Sequence, residues 1–129
     1  MTDQTDRADA IRVLNDAARA VPGVTCRANI TIGVQSLSEA DRIAVLRNVV
    51  GFSKFDGDND PHGERDFGTI YKLASGDWTQ NRPTDSNDIA VTVFWKIDYY
   101  DNRLEYGSEA PWDASKTTRV LTIMLASEY

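Results

Sequence analysis

The sequence lacks several features that mark common protein classes. It has one cysteine, Cys26, which excludes an internal disulfide and favours a reducing compartment. No apolar run approaches the roughly 20 residues that a membrane-spanning helix needs. The N-terminus also has no basic and apolar segments of the signal-peptide kind. These absences predict a cytoplasmic protein with no membrane association.

Basic clusters and common catalytic motifs are lacking too. The net charge is −6, from 14 basic and 20 acidic residues, and the basic ones are spread among the acids. Direct nucleic-acid binding, which depends on clustered Lys and Arg, is therefore not expected. The sequence contains no G-x-S-x-G, Walker A, G-x-G-x-x-G or C-x-x-C motif. This excludes the commoner enzyme classes and favours a non-enzymatic role.

What is present is the composition of an ordinary globular domain, with 41% hydrophobic residues in 129. Residues 1–7 offer little to bury and are expected to form a disordered tail, with a single domain over residues 8–129. Apolar residues at helical spacing predict a helix over residues 8–20, which Pro22 and Gly23 end. Strict alternation then predicts a strand over residues 24–34, with Cys26 on its buried face.

The rest of the chain predicts one more helix and several strands. Residues 36–39 match a capping box, and the helix they begin is expected to run to Val50 and end at Gly51. Asp101 and Asn102 predict a hairpin turn. The predicted strands cover residues 67–73, 89–100, 104–106 and 117–126. This order predicts the α+β class: an antiparallel sheet of four to five strands with two N-terminal helices packed on one side.

The strand over residues 89–100 is the strongest and is expected to be central, because both of its faces carry apolar residues. Trp95 is predicted to lie in the core. Lys96 and Asp98 share the more polar face. Asp98 is interpreted either as half of a cross-strand charge pair or as an active-site residue.

The most unusual segment is the acidic loop over residues 55–68, which holds the only histidine, His62. So many carboxylates need local hydrogen bonds, a cation or a partner. Asp and Asn that bond to their own backbone explain such a loop as a structured turn. Oxygen-rich ligands also suit a divalent cation, although Pro61 and Phe67 break the EF-hand pattern. The candidate metal ligands are Asp56, Asp58, Asp60, His62, Glu64 and Asp66.

Trp112 stands in a loop between Pro111 and Asp113. Exposed tryptophan is enriched at binding hot spots, so this loop is a candidate partner contact, and the alternative is a hydrophobic lid over the sheet. The predicted partner-binding residues are Asp58, Asp60, Glu64, Trp112 and Asp113. No cofactor other than a divalent metal is expected.

Three blocks, DNDPHGERDFG, WKIDYYD and RVLTIMLASEY, resemble the hallmarks of a small bacterial family catalogued as a domain of unknown function. The resemblance implies no activity. It implies a setting on plasmids, phages and integrated elements, beside other uncharacterised or anti-restriction genes. It also implies histidine at the position of Arg65 in many members, and its replacement here removes a possible ligand.

Two functional hypotheses follow. The first is a non-enzymatic binding or inhibitor protein of mobile elements that acts on a basic surface of a host protein, in an anti-restriction or anti-CRISPR role. The second is a metal-dependent enzyme that uses the acidic loop.

Overall fold

The computed structural model describes residues 4–129. Its helices are α1 (Gln4–Ala20), α2 (Ile32–Gln35) and α3 (Glu39–Val50). Its strands are β1 (Arg27–Ile30), β2 (Phe67–Leu73), β3 (Trp78–Thr79), β4 (Ile89–Tyr100) and β5 (Thr118–Leu125). Within the described part of the chain, no helix combines the length and the apolar character that crossing a bilayer requires.

The five strands form one sheet in the order β1-β5-β4-β2-β3, so β4 is central as predicted. The α+β class is confirmed, and the sheet has five strands, within the predicted four to five. The expectation of a purely antiparallel sheet is wrong, because β1 runs parallel to β5 while the other pairs are antiparallel. Parallel neighbours need a long connection, and here two helices and three strands separate β1 from β5 along the chain.

The core forms on one face of β4, where Val93, Trp95 and Ile97 are buried, Trp95 as predicted. Residues from all three helices join them, among them Ala18 of α1 and Val49 of α3. The core therefore depends on contacts between segments far apart in the sequence.

Arg19 ties α1 to the end of α3. Its guanidinium donates hydrogen bonds to the carbonyls of Val49 (3.1 Å) and Phe52 (2.9 Å), and it pairs with Asp16 at 2.9 Å. The Val49 carbonyl also accepts from the Phe52 N–H at 3.3 Å, so Arg19 adds a side-chain donor at the C-terminal end of α3, where backbone carbonyls lack helical partners. The guanidinium also lies 4.9 Å from the centre of the Trp95 ring.

The N-terminal elements differ from prediction at their ends. Helix α1 begins at Gln4, so residues 4–7 of the expected tail are helical, and residues 1–3 lie outside the described residues. The predicted strand over residues 24–34 is limited to β1, because Ile32–Gln35 forms α2. The carboxylate of Glu128 holds this turn by accepting from the Thr31 hydroxyl (2.6 Å) and the Gly33 N–H (3.0 Å). Cys26 is buried as expected but precedes β1.

Helix α3 ends at Gly51 as predicted, but its N-cap is Ser38 and not Ser36. The Ser38 hydroxyl accepts from the Asp41 N–H at 3.2 Å. The Ser36 hydroxyl instead donates to the Ile32 carbonyl at 2.7 Å, at the C-terminal end of α2. Two serines separated by one residue thus serve two different helices.

The strands predicted over residues 67–73 and 89–100 are confirmed, and the last strand covers Thr118–Leu125. The return strand predicted over residues 104–106 is wrong, since only a single bridge joins Tyr100 to Gly107. The Asp101 carboxylate accepts from the backbone N–H groups of Arg103 (3.1 Å) and Glu105 (3.0 Å). These bonds close a turn. A return strand would need the same N–H groups for its bonds to β4, so the turn replaces it.

Candidate functional site

The acidic loop is held by hydrogen bonds to its own backbone. The Asp56 carboxylate accepts from the N–H groups of Asp58 (2.9 Å) and Asn59 (3.0 Å), and the Asp60 carboxylate accepts from the Arg65 N–H (2.9 Å). The bond from Asn59, and next that from Asp58, lower the pKa of Asp56 below its usual value. The loop is therefore a structured turn of the kind that Asp and Asn commonly build.

The six candidate metal ligands are spread over this loop. Asp58 and His62 are exposed, whereas Glu64 and Asp66 lie near the Tyr99 hydroxyl. Among residues 4–129, no group of three or more His, Cys, Asp or Glu side chains is arranged to hold a metal ion. A metal site in this loop stays a prediction.

A polar network forms beneath the end of the loop, around the Tyr99 hydroxyl. Tyr99 donates to the Glu64 carboxylate at 2.8 Å, with the Asp66 carboxylate 3.5 Å away as a second acceptor. Asn15, which is fully buried in α1, donates one amide hydrogen to the Tyr99 oxygen (2.8 Å) and the other to the Glu64 carbonyl (3.0 Å). Asn15 and Tyr99 thus connect α1, the loop and β4.

Arg119 of β5 completes the network. Its Nε donates to the Asn15 side-chain oxygen at 2.8 Å, and a terminal nitrogen donates to the Pro111 carbonyl. The guanidinium lies 5.2 Å from the centre of the Tyr99 ring. Burial lowers the pKa of Arg119, while negative charge at Glu64 opposes that change. Arg119 therefore fixes the Trp112 loop to the sheet through Pro111.

Burial shifts the pKa values of two groups in the network, Asp66 and Tyr99. Burial, and next the neighbouring Glu64 carboxylate, raise the pKa of Asp66 above its usual value. Burial raises the pKa of Tyr99 above its ordinary value. Tyr99 therefore keeps its proton and acts as a donor to the carboxylates.

A cleft of about 600 Å³ opens beside this network, between α1, the acidic loop and Trp112. Its lining includes Arg7, Arg12, His62, Glu64 and Trp112. The Arg7 guanidinium lies 4.0 Å from the centre of the Trp112 ring. Glu64 belongs to both the cleft and the network, so the buried bonds fix one wall of the cleft.

Trp112 also lines a second, shallower depression of about 510 Å³ along α1, together with Val13 and Asp113. The Asp113 carboxylate accepts from the N–H (2.9 Å) and the hydroxyl (2.6 Å) of Ser115, and the hydroxyl bond is the main cause of its lowered pKa. Trp112 is thus a ridge between two concave surfaces.

The structure brings together only some of the predicted partner-binding residues. Glu64 and Trp112 line the same cleft. Asp58 and Asp60 lie outside its lining, and Asp113 lies on the far side of Trp112.

Asp98 does not line the cleft. It pairs with Lys96 at 2.7 Å along the same strand, so the expectation of a cross-strand charge pair is wrong. Its partner in β5 is Val120, which offers no charge.

Sequence reasoning missed Asn15, Tyr99 and Arg119 as a group. Two signals were present. Asn15 falls on the helical face that buries Ile11 and Ala18, where a polar residue needs a buried partner. The other members of the network come from the three blocks that carry the family resemblance, which therefore meet in one place: Glu64, Asp66, Tyr99 and Arg119.

The fold and site define a small α+β protein with a cleft over a buried polar network. Residues 30–128 match the family described as protein of unknown function (DUF3768), and the chain belongs to that family. The expected membership in a domain family of unknown function is confirmed. No curated protein and no solved structure matches the chain.

Proposed function

We propose that this protein is a non-enzymatic binding protein whose Trp112 cleft and adjoining acidic loop engage a basic surface of another protein. The proposed partner is a host protein, and the proposed carrier is a mobile genetic element. Anti-restriction or anti-CRISPR activity against a defence nuclease or CRISPR complex fits such a carrier. The acidic surplus of the chain supports a basic partner, since opposite charges accelerate and orient association.

The observation that carries the proposal is the contact between Arg7 and Trp112. A guanidinium already lies over the indole ring at 4.0 Å, in a cleft that Glu64 also lines. An aromatic face beside a carboxylate suits a cationic side chain. Arg7 is exposed and lies near the start of α1, so an arginine of a partner can take its place.

The buried network supports the same role by holding the cleft in one shape. Glu64 is fixed at its carboxylate by Tyr99 and at its carbonyl by Asn15. Arg119 fixes the neighbouring Pro111. A surface that is rigid before binding loses less conformational entropy when a partner docks.

The proposal predicts salt-sensitive capture of a basic protein that depends on Trp112. In pull-downs from host lysate at low salt, the wild-type protein should enrich a basic protein, and salt should weaken the capture. Trp112→Ala should reduce the affinity about tenfold or more, as hot-spot truncations do. Tyr106→Ala is the matched control, because Tyr106 is an exposed aromatic residue (73%) outside the cleft.

Capture that is absent at low salt, or that survives Trp112→Ala unchanged, would contradict the proposal. A protein captured equally by the Tyr106→Ala and Trp112→Ala variants would place the binding surface elsewhere.

The alternative function is a metal-dependent enzyme at the acidic loop. The observation that favours it is the pair of carboxylates, Glu64 and Asp66, that approach one Tyr99 hydroxyl. A metal that binds only the folded state must raise the melting temperature. Melting in Mg²⁺, Mn²⁺ and Ca²⁺, with His62→Ala for comparison, tests it: no shift in wild type removes the hypothesis.

A further inference from the structure

Helix α3 exposes an apolar seam on the side opposite its buried face. Val45 and Val49 are almost fully buried in the core. Ile43, Leu46 and Val50 are instead 44%, 37% and 42% exposed. Their spacing of three and four residues is that of a helix–helix seam, which places one apolar side chain at each turn.

The seam borders a groove of about 250 Å³. Ile43 and Leu46 form one side of it, and Ile30, Val34 and Ile123 contribute from β1, α2 and β5. An apolar ridge next to an apolar groove is self-complementary under a two-fold axis, because each copy can offer its ridge to the groove of the other.

The charges at the two ends of α3 point to the same occupant. Glu39 begins the helix and Arg47 lies near its end, and neither forms an ion pair within residues 4–129. An antiparallel pair of α3 helices brings Glu39 of each copy toward Arg47 of the other. A parallel pair would oppose like charges at both ends.

Arg42, between these ends, is already engaged. Its guanidinium donates to the carbonyls of Gln35 (3.1 Å) and Leu37 (2.8 Å). Arg42 therefore connects α3 to the end of α2 beside the groove. Its guanidinium is engaged there and does not cover the apolar residues of the seam.

We propose that a second copy of this chain covers this face, in a two-fold dimer with its α3 helices antiparallel. The seam of each copy packs on the groove of the other, and Glu39–Arg47 pairs close both ends. None of these residues lines the Trp112 cleft, so the dimer is independent of the proposed binding function.

Sedimentation velocity tests the proposal, run from about 1 μM to about 1 mM to cover the affinities expected of a modest interface. Wild type should convert from monomer to dimer with concentration. Leu46→Glu should stay monomeric throughout, because it places a charge in the seam. Val13→Glu is the control, since Val13 is 61% exposed on α1, away from the seam. This variant should dimerise like wild type.

Charge reversal then tests the antiparallel arrangement. Glu39→Lys and Arg47→Glu should each weaken the dimer about tenfold. A two-fold dimer contains two Glu39–Arg47 pairs, and each substitution removes both of them. The double variant should restore it. Circular dichroism confirms that each variant keeps its helices.

Four outcomes would overturn the proposal, three of them concerning wild type, the Leu46→Glu variant and the double variant. These three are a wild-type monomer at every concentration, a dimer that Leu46→Glu leaves unchanged, and a double variant that stays as weak as the single ones. A dimer lost in Val13→Glu but kept in Leu46→Glu places the interface on α1 and overturns it too.

Discussion

At the scale of single residues, the Tyr99 hydroxyl determines the arrangement around the cleft. It accepts from Asn15 and donates to Glu64, both at 2.8 Å. Asn15 is fully buried, whereas Tyr99 and Glu64 are half-buried and Glu64 also faces the cleft. Leaving a buried polar group without its partner costs more than a typical hydrogen bond contributes, because the group has already lost its hydration.

Tyr99→Phe should therefore destabilise the protein by about 1–3 kcal/mol, the usual cost of an unsatisfied buried polar group. Urea unfolding measures the change in the free energy of unfolding. Tyr106→Phe is the control, because this exposed side chain should change stability by no more than about 0.5 kcal/mol. Equal stability of Tyr99→Phe and wild type would show that the network does not hold the fold.

At the scale of elements, the regular strands followed from the sequence and the irregular turns did not. Strands β2 and β4 match their predicted bounds because both are rich in β-branched and aromatic residues. Alternation over residues 24–34 was misleading, since the edge strand β1 buries little and Glu128, from the far end of the chain, holds the turn into α2.

The site was predictable only in its parts. The acidic loop and Trp112 were each recognised from composition, but the Arg7–Trp112 contact joins residues far apart in the sequence. Periodicity reports which face of an element is buried and not which other element covers it. The Asn15–Arg119 hydrogen bond was missed for the same reason.

The contact between β2 and β4 gives a prediction for Gly68. A Cβ at Gly68 would overlap the Trp95 indole and the Phe52 ring, both buried. Gly68→Ala should cost about 1–3 kcal/mol or more by overpacking, seen as a lower melting temperature. Gly57→Ala is the control, because its Cβ meets nothing within 4 Å. A Gly68→Ala protein as stable as the control would mean that β2 does not lie this close to Trp95.

At the scale of the whole molecule, the carboxylates give stability a definite dependence on pH. Hydrogen bonds lower the pKa of four of them in the fold: Asp41 chiefly through Lys72, Asp56 through Asn59, Asp113 through Ser115 and Glu128 through Thr31. A lowered pKa contributes stability that is present above the unfolded value and lost as the pH falls through the folded one. Asp66, with its raised pKa, has the opposite sign.

Stability should therefore fall as the pH drops below about 4, near the unfolded pKa values of Asp and Glu. Urea unfolding across pH 3 to 7 measures this change in the free energy of unfolding. In Asp66→Asn, the loss between pH 7 and acid should be larger than in wild type, since the replacement removes a carboxylate whose buried charge costs energy only at the higher pH. A smaller loss would contradict the sign assigned to Asp66.

The proposed function depends on recognition of cationic side chains by the Trp112 cleft. The most direct measurement is an NMR titration of the ¹⁵N-labelled protein with an arginine-rich peptide, following the indole N–H of Trp112 and the backbone amides of the cleft. We expect salt-sensitive shifts centred on Trp112, Gly63 and Glu64, and their loss in Trp112→Ala. Shifts that leave these signals unmoved while others respond, or no response at low salt, would contradict the proposed function.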